Sequence, residues 1–188
     1  PDIAMVGEIR DLETADTAIQ AALTGHLLLS TLHTNSAAGA IPRFIAMGVR
    51  PFLLAPALNA VIGQRLVRRL CSACRKEKAL TENELADIQK IISVLPLQEK
   101  KNIPSDLIFY GPIGCEECNG LGYKGRVGVY EIMVVDDAIE KLILAGTGAA
   151  NDVEAAARSS GMLTMVEDGV LKALAGMTSL EEVFRVLQ

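Results

Sequence analysis

The chain has 188 residues, a formal net charge of −5 and a mean hydropathy of +0.31; half of its residues are hydrophobic but only 4 % are aromatic. That length fits one or two domains with an aliphatic, Ala-rich core, and the acidic balance argues against a general nucleic-acid binder. The longest nearly apolar run, residues 51–63, is broken by Asn59 and two prolines, and it falls short of the roughly 18–20 apolar residues that span a bilayer.

The opening "PDIAMVGEIR" reads as the middle of a packed domain, so the chain is expected to be a C-terminal piece of a longer protein. Residues 3–6 form a short strand-type run ended by Gly7-Glu8. A helix is expected over 13–23, with Ala15, Ala18, Ile19 and Ala22 on one face and Gly25 as its stop. Residues 26–32 make a second strand, apolar on both sides near Leu27–Leu29, as in a parallel sheet covered by helices. Strand, helix and strand at this spacing form a βαβ unit.

Residues 36–47 read as a turn and a short helix that holds Pro42 in its first turn. Residues 51–70 read as one long helix, kinked at Pro56. From Cys71 to about Gly125 the texture is charged and irregular. Within it "TENE" marks a capping box for a helix over 81–89, while residues 90–105 give no clear pattern. "GRVGVYEIMVV", residues 125–135, reads as strand. Short helices follow, with Gly146, Gly161 and Gly176 at their ends and capping boxes in "TMVE" and "TSLE".

Two strand ends carry the chemistry. Glu8 immediately follows the first strand, and "LLLSTLHTN" delivers Ser30, Thr31, His33, Thr34 and Asn35 to the same edge of the sheet. Ligands of open α/β sheets bind beyond the carboxyl ends of the strands. An acid beside an imidazole there fits phosphoryl transfer, which needs positioning and charge stabilisation more than a covalent nucleophile. Taken singly, Glu8 reads as a solvated strand terminus, His33 as a capping or packing group, and the hydroxyl cluster as a turn with a helix cap.

All four cysteines fall in two C-x-x-C pairs, Cys71/Cys74 and Cys115/Cys118, separated by forty residues. Four thiolates on two knuckles suit tetrahedral Zn²⁺, and the long insert adds little closure entropy, about 0.6 kcal/mol per doubling. Gly114, Gly120 and Gly122 supply backbone freedom around the second knuckle. Disulfides and a redox pair are the alternatives; the second would need one C-x-x-C at a helix start. Residues 65–78 carry a net +5, leaving −10 for the rest. Arg69, Arg75 and Lys76 either offset the doubly negative Zn(Cys)₄ centre or belong to a solvated helix end.

The ordered run "PDIAMVGEIRDLETADTAIQAALTGHLLLSTLHTNSAAGAIPRF" resembles the secretion ATPase superfamily, the motor ATPases of type II secretion and type IV pilus assembly. "MVGEIRDLETA" looks like its variant Walker B motif, with Gly7 where other P-loop enzymes carry Asp, and "TGHLLLSTLHTN" looks like its His box. "QRLVRRLC", "GCEECNGLGYKGRVGVYEIM" and "GMTSLEEVFRV" match in order, so the resemblance spans the chain.

The resemblance implies an α/β fold: the C-terminal part of a RecA-like P-loop NTPase core over 1–70, an inserted tetracysteine zinc subdomain over 71–125, and a strand plus helical C-terminal subdomain over 126–188. It makes Glu8 the catalytic glutamate that polarises water and His33 the residue near the γ-phosphate. Gly7, Thr31 and Arg10 carry over as nucleotide-side positions, Arg10 either at a subunit contact or paired with a neighbouring acid. ATP, Mg²⁺ and Zn²⁺ are the implied ligands, with Cys71, Cys74, Cys115 and Cys118 as the metal set. The implied assembly is a cytoplasmic homo-hexamer, held peripherally at the inner membrane by a platform protein and an adaptor, with no nucleic acid.

The family's tetracysteine subdomain occurs in assembly members and is generally absent from pilus retraction ATPases. No G-x-x-x-x-G-K-[ST] occurs in the chain, so the phosphate loop and the acidic Asp box are expected upstream and the isolated chain is expected not to hydrolyse ATP. The alternative is a non-catalytic zinc-stabilised interaction module.

Overall fold

The computed structural model describes residues 1–104, 106–146 and 148–187. The architecture is mixed α/β, and the chain divides into two compact units. The first comprises Pro1–Gly63 and Ile132–Met162; the second comprises Gln64–Glu131 and the residues from Leu163 to the end of the described chain. Residues 71–125 thus lie wholly within the second unit, whereas residues 126–187 are shared between both.

In the first unit, β1 (Ile3–Val6) and β2 (Leu27–Ser30) pair in parallel, Ile3 opposite Leu27 and Val6 opposite Ser30. They are joined by α1 (Leu12–Leu23), where Asp11 caps the helix by accepting the Thr14 N–H at 2.8 Å. Helix α1 buries Ala15, Ala18 and Ile19. It is followed by α2 (Ala40–Ala46) and α3 (Pro51–Ala57), then by α6 (Asp137–Leu144) and α7 (Ala150–Ser159) from the later segment. Their core gathers Ile9, Ile41, Phe44, Leu54, Met133, Ile139, Ile143 and Val153.

The two strands are not buried on both sides as expected. Val6 and Leu28 pack against the core, but Ile3, Met5, Leu27 and Leu29 are 61, 77, 51 and 50 % exposed. The reason is the two-residue period of a pleated strand: among the described residues, helices cover only one face of this pair.

The expected helix over 51–70 is also corrected. Helix α3 stops at Ala57, one residue past Pro56, and Leu58 is already extended at φ −98°, ψ 109°. The chain continues as β3 (Ala60–Leu70), which pairs with β6 (Tyr123–Val134). A short apolar run cannot be told from a helix by periodicity alone. Here Pro56 removes an amide donor, and Val61, Ile62 and Val67 favour the pleat.

The second unit holds α4 (Glu82–Val94), α5 (Leu97–Lys100), α8 (Met165–Leu174), α9 (Leu180–Leu187) and an antiparallel pair of β4 (Lys76–Lys78) and β5 (Phe109–Gly111). Its core is Ile88, Phe109, Val170, Ala173, Leu180 and Val183. The Thr81 and Thr164 capping boxes form as expected, and α4 runs beyond the expected 89 to Val94. Ser105, the last residue of the unpatterned stretch, lies outside the described residues. At "TSLE" the cap is Ser179, whose hydroxyl accepts the Glu182 N–H at 3.3 Å. Thr178 instead donates its hydroxyl to the Arg68 carbonyl at 2.8 Å.

Glu182 is the keystone of this unit. It is 1 % exposed, and it accepts the Arg68 N–H at 3.0 Å, the Arg68 guanidinium at 2.7 Å, and two Arg185 bonds at 2.8 and 2.6 Å. Arg68 also stacks over the Tyr123 ring at 4.2 Å. Burial pushes the Glu182 carboxyl up, but the Arg185 and Arg68 bonds outweigh it and bring it down to about 2. A carboxyl depressed in the fold contributes stability above its ordinary 4.5 and loses it as pH falls toward about 2. The shift corresponds to on the order of 3 kcal/mol. Acid unfolding followed by circular dichroism should show this loss between those pH values. Glu182→Gln should be destabilised at neutral pH by a similar amount and lose that acid-dependent step.

Candidate functional site

The ends of β1 and β2 are tied by one residue. Thr31 accepts the Ile9 N–H through its carbonyl at 2.9 Å and donates its hydroxyl to the Gly7 carbonyl at 2.8 Å. The peptide groups on both sides of Glu8 are therefore held. Ile9 is buried in the core, whereas Glu8 is half-buried and Arg10 is exposed at the strand edge. Glu8 and Arg10 meet there: Arg10 Nη2 lies 2.6 Å from Glu8 Oε1. From the exit of β2, His33 Nε2 lies 3.0 Å from Glu8 Oε2. The Arg10 bond, with a smaller contribution from His33, overcomes desolvation and holds the Glu8 carboxyl below its usual range. Glu8 is thus an ionised acceptor near neutrality, with lone pairs left for a water.

Next to the hydroxyl cluster, Thr34 donates to the Ser36 carbonyl at 2.9 Å, and the Ser36 hydroxyl accepts the Gly39 N–H at 3.2 Å. These groups shape the turn into α2. The second histidine, His26, sits at the other end of β2 and contacts the Ala21 carbonyl at 3.1 Å.

In the second unit the two C-x-x-C pairs converge, and the four sulfurs all lie within 4.8 Å of one another. Cys71–Cys115, Cys74–Cys118 and Cys115–Cys118 are separated by 3.9, 3.8 and 3.8 Å. All four thiols are free. A tetrahedral metal with M–S of about 2.3 Å spaces its sulfurs about 3.8 Å apart, so this donor set fits such an ion. The Cys71 N–H is bonded to the Gly122 carbonyl at 2.9 Å, which ties one knuckle to the other.

Burial opposes ionisation of Cys118, yet the N–H groups of Cys115 (3.2 Å) and Gly122 (3.1 Å) bring it down to about 6. Burial and the neighbouring thiols push Cys74 up to about 11. A divalent cation is what lets four such groups be thiolates together. The second knuckle depends on glycine: Gly114 and Gly122 have φ of +108° and +73°, and a Cβ would meet the Gly120 carbonyl oxygen at 2.5 Å and Pro112 at 2.4 Å.

With both sites placed, comparison with known proteins becomes specific. The family described as "Type II/IV secretion system protein" matches residues 1–185. The chain belongs to this family. It is 47 % identical over 186 residues to the type II secretion system protein E of Aeromonas hydrophila, covering 99 % of this chain and 34 % of that protein. It is 49 % identical over 183 residues to the type IV pilus assembly ATPase PilB of Thermus thermophilus, covering 97 % and 20 %. The chain thus spans about a third or less of the length of these relatives. In fold it resembles the ATPase DotB of Legionella pneumophila, with a TM-score of 0.59 at 23 % identity over 98 % of this chain and 38 % of that one.

Within this member of the type II/IV secretion family, the expected residues Gly7, Glu8, Arg10, Thr31 and His33 come together at one sheet edge, and the four cysteines in one cluster. Of the basic residues left open between a charge offset for the cysteines and a solvated helix end, Arg75 has partners of its own. Arg75 is bonded to the Gly176 carbonyl and lies over the Tyr110 ring at 4.9 Å. Sequence reading left Arg10 open between a subunit contact and a neighbouring acid; that acid is Glu8, at 2.6 Å. Sequence reading missed the Glu182 clamp, for which 114 residues separate the partners.

Removal of metal tests the cysteine site. Purified protein should contain about one zinc per chain, and chelation or Cys118→Ser should lower the thermal midpoint and speed proteolysis within 71–118. Metal content far below one per chain would sink the assignment.

Proposed function

We propose that this chain works within a motor ATPase that couples ATP hydrolysis to assembly of pilins or pseudopilins, in type IV pilus biogenesis or type II secretion. The observation that carries this reading is the Glu8–His33 contact of 3.0 Å at the ends of two parallel strands. The names of the relatives, a type II secretion protein E and a pilus assembly ATPase, support the direction of the work.

In this reading Glu8 and His33 are the catalytic residues. Glu8, kept ionised, accepts a hydrogen bond from the attacking water and orients it toward the γ-phosphate. His33 stands beside it with one ring nitrogen on Glu8 and an exposed side chain, which in this reading meets the γ-phosphate. Thr31 and Gly7 fix the backbone that presents Glu8. Mg²⁺ would accompany the nucleotide, and no residue of this chain is assigned to it.

Residues 1–70 are read as part of a RecA-like core, residues 71–125 as a zinc insertion and residues 126–188 as a strand plus helical subdomain. Cys71, Cys74, Cys115 and Cys118 would hold Zn²⁺, which would supply a structural cross-link. A homo-hexamer at the cytoplasmic side of the inner membrane, with a platform protein and an adaptor as partners, completes the proposal. It is in keeping with the lack, among the described residues, of a helix long and apolar enough to cross a membrane.

Phosphate release by the full-length protein tests the assignment. Glu8→Gln should cut kcat by about 10² or more and His33→Ala by about tenfold. Wild-type rates in both variants would overturn this reading, whereas turnover by the 188 residues alone would overturn only the expectation that the isolated chain is inactive.

A further inference from the structure

The two oxygens of Glu8 are divided between two partners: Oε1 faces Arg10 at 2.6 Å and Oε2 faces His33 at 3.0 Å. A carboxylate can rotate about its last bond, and neither partner alone would fix the plane of the group. Together they hold it from opposite sides. Arg10 reaches its oxygen because Ile9, between the two charges, is anchored in the core while Thr31 holds the Ile9 peptide. The Arg10 side chain is 70 % exposed, so it spends no burial on this contact and serves no core.

We propose that Arg10 is a positioning residue of the site: by holding Oε1 it turns the Glu8 carboxylate so that Oε2 is presented to His33 and to the water. This rests on the assignment of Glu8 above and goes beyond it. Arg10 acts through Glu8 and touches neither water nor phosphate. The charged groups acting on Glu8 are Arg10 and His33. The nearest acid in sequence, Asp11, has its carboxylate committed to the Thr14 N–H at 2.8 Å, so it does not compete for Arg10's role at Glu8. A subunit contact would instead ask Arg10 to leave Glu8 free.

Two readouts separate positioning from other roles. In the 188-residue chain, carboxyl and imidazole NMR shifts of Glu8 and His33 are followed against pH in the wild type and in Arg10→Gln, with thermal unfolding as a check that the fold is kept. The Glu8 midpoint should move upward in Arg10→Gln, because the bond that depresses it is gone, and the His33 ring signals should move with it. In the full-length protein, Arg10→Gln should lower kcat about tenfold, move the acidic limb of the kcat–pH profile upward, and leave KM for ATP within about twofold. Arg10→Lys should restore most of the rate.

An unchanged Glu8 midpoint would overturn the proposal. So would a raised KM at unchanged kcat, which would place Arg10 on the nucleotide, or a rate that Lys restores no better than Gln. Should Glu8→Gln hydrolyse ATP normally, the catalytic reading of Glu8 would fail, while the NMR titration would still decide whether Arg10 holds its carboxylate.

Discussion

Thr31 takes the Ile9 N–H on its carbonyl and gives its hydroxyl proton to the Gly7 carbonyl, so one residue of β2 fixes the backbone on both sides of Glu8. Everything at the strand edge follows from that. With Ile9 buried in the core, Glu8 and Arg10 pair outside it at 2.6 Å. The parallel register of β1 and β2 ends both strands at one level, which is why His33 arrives beside Glu8.

The second unit solves a different problem. Its apolar cluster is small, and much of its chain is charged. Two polar devices supplement that core: the Glu182 carboxylate of α9, which joins β3 through Arg68 and pairs with Arg185 of its own helix, and the cysteine cluster in which the segments beginning at Cys71 and Cys115 meet. The first depends on complete pairing, since a buried carboxylate without its partners costs more than it contributes. Arg68 serves twice, through its backbone N–H and its guanidinium, so the basic window that looked like a solvated helix end or a charge offset is in part a structural anchor.

Local signals were legible where one residue type suffices to dictate geometry. Residues 3–6 form the expected strand, the Thr81 and Thr164 boxes cap their helices, and the glycines at 146, 161 and 176 follow helix ends with positive φ. Failures came where neighbours compete. The stretch after Pro56 has an apolar content compatible with either helix or strand, and only its pairing with β6 decides. Thr178 has the spacing of a cap, but Ser179 lies one residue nearer the helix, and the Arg68 carbonyl claims the threonine hydroxyl.

The sequence by itself determined the family, the two C-x-x-C pairs as a candidate ligand set, and the candidate acid and imidazole, because ordered motifs and ligand spacing are written in residue identity. Only the tertiary structure decided that Arg10 belongs to Glu8, that Thr31 ties the backbone rather than standing free, and that Glu182 anchors the second unit. Those are contacts between residues whose side-chain directions depend on register and packing, and a sequence does not contain register until its strands have paired.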